Sequence, residues 1–157
     1  MAALANAEVQ GAVDASSQPD ASHCPSVPFH YSQSDSFVAL LHELGASLLV
    51  STYQANKLLA VRANGIGLST LVRTFDRPMG LAVNGTCLAI GTRKEVWSLR
   101  NAPDIAPRIE PAGAHDACFL PRSCHVTGDI GVHEIAWADS EGQDSCDERR
   151  AKELWIV

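Results

Sequence analysis

The spacing of apolar and polar positions divides the chain into one helical and several extended segments. From Ser36 to Gly45 the apolar residues recur at helical intervals, Ser34 or Ser36 can cap the start, and Gly45 is placed to stop it, which predicts a short helix. The period then changes to that of strands. Ala46 to Thr52, Lys57 to Ala63 and Leu68 to Phe75 read as three consecutive strands, the last two joined by a turn at Asn64-Gly65-Ile66-Gly67. Gly80 to Val83, Thr86 to Thr92 and Glu95 to Arg100 give three more. Asn101 to Pro111 carries three prolines and reads as a loop, after which His133 to Asp139 and Glu153 to Val157 form a further strand and its returning partner.

The sharpest local signal is Asn84-Gly85 between two alternating apolar runs, because both residue types tolerate the positive φ of a two-residue hairpin turn. A type I′ turn there pairs Val83 with Thr86, Leu81 with Leu88 and Met79 with Ile90 on one face, and Ala82 with Cys87 and Gly80 with Ala89 on the other. One face is then bulky and the other small, as expected of a sheet packed on both sides. Short strands with tight turns and little helix favour a sandwich, barrel or propeller over an α/β fold. The strands also fall into meanders whose second and third groups open alike, Met79-Gly80-Leu81-Ala82-Val83 against His133-Glu134-Ile135-Ala136-Trp137, which predicts an all-β partial β-propeller of antiparallel meander blades.

Composition changes this picture mainly at the ends. Residues 1–28 are rich in Ala, Ser, Gln, Asp and Pro without apolar periodicity and read as a disordered acidic N-terminal tail. The formal charge of −6 is uneven: residues before Lys57 carry Glu8, Asp14, Asp20, Asp35 and Glu43 unopposed, and the remainder is near neutral. No basic patch suggests nucleic-acid binding, and no secretory, transit or membrane-spanning segment is apparent, so a cytoplasmic location is expected. The five cysteines, Cys24, Cys87, Cys118, Cys124 and Cys146, show no C-x-x-C spacing and fit reduced thiols; Cys118 and Cys124 flank Pro121, and without a neighbouring base of known geometry neither is assigned as a nucleophile.

Three ordered motifs resemble an uncharacterised β-propeller-like family: Leu44 to Leu58, Thr74-Phe75-Asp76-Arg77-Pro78-Met79-Gly80-Leu81-Ala82-Val83, and Thr127-Gly128-Asp129-Ile130 followed by His133-Glu134. Its members are conserved hypothetical proteins with a domain of unknown function, some joined to tetratricopeptide repeats. The resemblance covers residues 36–157 and implies the N-terminal part of a longer propeller domain, truncated at its C-terminus. It also implies that Ser140 to Lys152 is a polar insertion where the family has a tight turn. It implies no activity.

Candidate chemistry lies at the entries to the inner strands. Asp76 and Arg77 precede Pro78 and can bind an anionic or polar ligand at a channel mouth, or form a pair that orients the turn. Tyr53 and Gln54 can add a hydroxyl and an amide. Arg122, His125, Thr127, Asp129, His133 and Glu134 precede the third group; His125, Asp129 and His133 have metal-ligand types, with Glu134 as a general base, although glycines nearby favour a loop in which Asp129 caps a turn and the histidines are structural. Trp97, Trp137 and Trp155 are expected in the core. P-loop, dinucleotide, H-E-x-x-H and G-x-S-x-G motifs are absent.

The favoured function is a binding or scaffolding module without a cofactor. The partner is a protein or small polar ligand, not nucleic acid or membrane, with association through unpaired strand edges a further expectation. A metal-dependent, lactonase-like hydrolase using a divalent ion is the second reading, which metal analysis with His133→Ala discriminates. A truncated gene product without independent function is the third, which predicts low stability.

Overall fold

A short helix followed by antiparallel meanders is the architecture of the computed structural model, which describes residues 2–4, 31–65, 67–139 and 152–156. The helix, α1, spans Asp35–Leu44. Ser34 caps it by accepting from the Phe37 amide at 3.2 Å, and Gly45 ends it in the left-handed conformation with φ 56°. The expected acidic tail falls outside the described residues except for Ala2–Leu4, which forms a three-residue strand, β1. The expected polar insertion lies outside them up to residue 151.

Three sheets follow in chain order. The first is β2 (Ser47–Thr52), β3 (Lys57–Asn64) and β4 (Gly67–Thr74), antiparallel throughout. The second contains β5 (Leu81–Asn84), β6 (Cys87–Gly91), β7 (Glu95–Asn101) and β8 (Ala117–Val126) as an antiparallel meander, with β1 added in parallel on the β8 edge. The third is the hairpin of β9 (Ile135–Asp139) and β10 (Lys152–Ile156). No helix among the described residues is long and apolar enough to cross a membrane.

The hairpin of β5 and β6 forms with a register displaced by two residues from the expected one: Asn84 pairs with Cys87, Val83 with Leu88, Ala82 with Ala89 and Leu81 with Ile90. Gly85 alone of the turn residues has positive φ, 50°, so Gly85-Thr86 is the central pair and only its first position needs glycine. A displacement of two keeps every side chain on its expected face, because the strand period is two. The large face of the second sheet therefore meets the first sheet in a cluster of Leu58, Leu88, Ile90 and Leu99, with Leu49, Leu71, Leu81 and Trp97 against it. The small face, Ala82 and Ala89 with Val96, meets Val132, Ile135, Trp137 and Leu154.

The long strand β8 is absent from the sequence expectation, which placed no strand between Arg100 and Gly131. It contains Pro121, at a bulge where Leu99 pairs with Pro121 and Ser98 with Ser123, leaving Arg122 as the extra residue. Its second half is exposed, so no apolar alternation marks it. Of the three tryptophans, Trp97 packs edge-on against Phe75 at 5.9 Å and Trp137 donates to the Ala82 carbonyl at 3.2 Å. Trp155 is 60% exposed, contrary to its expected place in the core.

Glycine is required where the second and third sheets touch. A Cβ on Gly91 would lie 2.6 Å from Val132 Cγ1 and 2.8 Å from the Val132 carbonyl, and one on Gly80 3.2 Å from the His133 carbonyl. Gly91→Ala is therefore expected to destabilise the protein by about 1–3 kcal/mol, the overpacking cost exceeding the smaller gain from a stiffer unfolded chain. Chemical denaturation checks this, and an unchanged midpoint contradicts the close packing.

Candidate functional site

Four chain connections meet at one end of the sheets: residues 53–56 between β2 and β3, 75–80 between β4 and β5, 92–94 between β6 and β7, and 127–134 between β8 and β9. Main-chain bonds tie them together. Phe75 N–H donates to the Asn56 carbonyl at 3.2 Å, Arg93 N–H to the Asp76 carbonyl at 3.1 Å, Thr127 N–H to the Lys94 carbonyl at 2.8 Å and Gly131 N–H to the Arg93 carbonyl at 2.8 Å. Two threonines close the turns alike. Thr52 Oγ1 donates to the Lys57 carbonyl and accepts from its N–H, and Thr92 Oγ1 does the same with Glu95.

Two side-chain pairs stand on this frame. Arg77 places its guanidinium 5.3 Å from the Tyr53 ring centroid and donates through Nη1 to the Tyr53 hydroxyl at 3.2 Å. Its backbone is held at φ 47° by its own N–H donating to Asn56 Oδ1 at 2.9 Å; Asn56 and Arg77 are the non-glycine residues at positive φ among those described. Such a conformation is costly for a residue with a Cβ, and the clamp from Asn56 maintains it. In the second pair Arg93 holds Asp129 by a two-pronged contact, Nε to Oδ1 at 2.6 Å and Nη2 to Oδ2. The hydrogen bonding and charge of Arg93 hold the Asp129 carboxyl below the ordinary aspartate range, with the fields of Lys94 and Arg77 in the same direction. The same contact raises the Arg93 guanidinium.

The structure thus brings together Tyr53, Arg77, Asp76 and Asp129 of the expected residues. Asp76 contributes its carbonyl to the Arg93 amide, and its carboxylate field favours the charged guanidinium. Gln54 lies exposed in the same turn as Tyr53. Arg122 sits apart, at the β8 bulge, and His125 is on β8 opposite Val96. His133 and Glu134 are exposed just before β9. Among the described residues no three His, Cys, Asp or Glu side chains lie close enough together to hold a metal ion as the chain is placed here. Arg93, Lys94 and Asn56 were missed; the signal for the first two was an adjacent basic pair in a tight turn that faces the Thr127–Asp129 motif. Burial pushes the Cys118 thiol up, and burial followed by the charge and hydrogen bonding of Glu95 does so for Cys124.

This architecture is that of a mostly β protein with stacked antiparallel sheets and a polar loop end. The defining pattern of the family described as Domain of unknown function (DUF4915) matches residues 35–145, and the chain belongs to that family. No curated protein and no solved structure matches the chain.

A depressed carboxyl means that what the Arg93–Asp129 pair adds to the folded state is present above the ordinary aspartate value and fades as pH falls through the lowered one. An NMR titration is expected to place Asp129 below the usual range, and Arg93→Gln is expected to return it toward that range. An Asp129 titration unaffected by the substitution contradicts the pairing.

Proposed function

We propose that this chain is a partial β-propeller whose successive sheets are blades, and that it acts as a binding module with its ligand seat at the loop end beside Tyr53 and Arg77. The blade reading is supported by the four-strand meander of β5 to β8, the way β9 opens a new sheet against it, and the matching turn bonds of Thr52 and Thr92. The single observation that carries the binding reading is Arg77. Arg93 spends its charge on Asp129, whereas Arg77 reaches no carboxylate among the described residues and is braced by Tyr53 and by a strained backbone at the exposed surface. A guanidinium so held is pre-organised for a small anion, and Lys94 adds a second cation near by.

The ligand class this favours is a carboxylate or phosphate bound without metal. Titration of the protein with inorganic phosphate and with succinate, followed by amide NMR shifts, is expected to give saturable changes at Tyr53 and Arg77. Arg77→Lys, which keeps the charge but not the planar fork, is expected to weaken binding at least about tenfold, the loss of one charge-assisted hydrogen bond. Arg108→Ala, in the exposed turn after β7, serves as the unaffected control. Binding that survives Arg77→Ala, or no saturable change with either anion, overturns the reading.

A further inference from the structure

The first two sheets follow one plan as far as β2, β3 and β4 match β6, β7 and β8. Thr52 and Thr92 close the turns after β2 and β6 by the same pair of bonds, and the amides of Phe75 and Thr127, after β4 and β8, return to the turns before β3 and β7. In the second sheet β6 lies between β5 and β7. Its counterpart β2 pairs with β3 alone among the described residues, so the edge that β5 covers on β6 is open on β2.

That edge also lacks the devices that keep strand edges from pairing. From Leu44 to Asn56 there is no charged residue and no proline, and β2 runs against β3 without a bulge. The other edges differ: β5 is four residues long and β1 three, β4 carries Arg73, and β9 and β10 carry Asp139, Lys152 and Glu153. Beside β2 is a cavity of about 220 Å³, walled by Leu49, Val83, Leu88 and Phe119, with Ser47 and the exposed Asp116 also lining it. Ser51 Oγ donates to the Met79 carbonyl at 2.7 Å, which fixes the end of β2 beside the chain leading into β5. Leu49 is turned toward the second sheet, and a residue paired with it from an added strand shares that face and adjoins the cavity.

We infer that β2 accepts an extended segment of another polypeptide as an added antiparallel strand, with one large aliphatic side chain opposite Leu49 entering the cavity and uncharged residues on either side of it. This rests on the matching of the first two sheets and not on the anion seat. Main-chain bonds to the open edge supply the affinity, and the cavity supplies the choice of side chain. The direction follows β5, which runs antiparallel to β6. The composition follows from β2 itself, since six residues without charge pair best with uncharged, β-branched neighbours.

The probe is the capped peptide KTVLVTK, titrated into the full chain and followed by amide NMR. It is expected to give saturable shifts at Ser47 to Thr52 and to slow amide exchange there. The same peptide with alanine in place of leucine is expected to bind at least about tenfold more weakly, for want of the side chain that fills the cavity. Val83→Arg places a guanidinium in the cavity from a position 58% exposed, and is expected to weaken KTVLVTK at least about tenfold. The response of Tyr53 and Arg77 to inorganic phosphate is expected to be the same in that variant as in the wild type, so failure here and failure of the anion seat are told apart. Ser47→Arg tests the opposite wall, and circular dichroism establishes that each variant is folded. No saturable change at β2, equal binding of the leucine and alanine peptides, or binding unaffected in the folded variants overturns the inference. A wild-type chain that self-associates through β2 overturns it as well, since a second copy then covers the edge.

Discussion

The rest of the structure depends on the close approach of two backbones at Gly80, Gly91 and Val132. Gly80 N–H donates to the Val132 carbonyl at 3.2 Å, Val132 N–H donates to the Thr92 carbonyl at 2.9 Å, and Gly91 N–H bonds Gly80 across the hairpin at 2.8 Å. Those bonds need the absence of a Cβ at both glycines, since either would meet the chain of residues 132–135. The constraint is steric, and its effect is directional. Small residues continue along the same face through Ala82 and Ala89, so the third sheet lies flush on the second. The bulky residues are left to fill the wider space against the first sheet.

That approach also sets the loop end. The connection from β8 to β9 is fixed at Gly131 and Val132 by Arg93 and Thr92, one residue apart in the turn between β6 and β7. With the backbone anchored there, Asp129 stands within reach of the Arg93 side chain. The ion pair is part exposed, and pairs of that kind contribute little to stability. Its place is therefore a consequence of the backbone anchoring and not its cause. The apolar cluster between the first two sheets supplies the larger part, with Leu58, Leu88, Ile90 and Leu99 buried at about 1.5–3 kcal/mol each relative to exposure.

Much of this was legible along the chain, and the exceptions have physical reasons. The helix, its caps and the strands with alternating or continuous apolar runs were readable because burial imposes their period. The hairpin was readable in its faces but not in its register: Asn84-Gly85 was the stronger turn signal, yet only Gly85 adopts positive φ, and the turn closes one position later. Because that moves the partner by two, each side chain stays on its expected face. Strand β8 was hidden by Pro121 and by an exposed polar second half, since an outer strand with a bulge needs neither alternation nor a continuous ladder. Trp155 is exposed although its strand pattern favours burial, because which face of the last sheet is covered depends on its neighbours and not on the strand itself. The side-chain pairing of the loop end was the least legible, because Arg93 and Asp129 are 36 residues apart and nothing in local spacing links them.

Two of the four connections at the loop end, residues 75–80 and 127–134, are anchored alike but charged oppositely. Phe75 N–H bonds the turn between β2 and β3 through Asn56, as Thr127 N–H bonds the turn between β6 and β7 through Lys94. Two residues after each of these anchors stand Arg77 and Asp129. In the second connection the carboxylate meets an arginine from its turn, and the charges close on each other. In the first the cation meets a tyrosine, whose ring and hydroxyl orient it without neutralising it. A tyrosine in place of a carboxylate leaves the guanidinium's charge available at the surface. The left-handed backbone at Arg77, kept in place by Asn56, holds that charge in one position. The asymmetry between two otherwise matching anchors is what separates an ion pair closed on itself from a guanidinium held at the surface by a tyrosine and its own backbone.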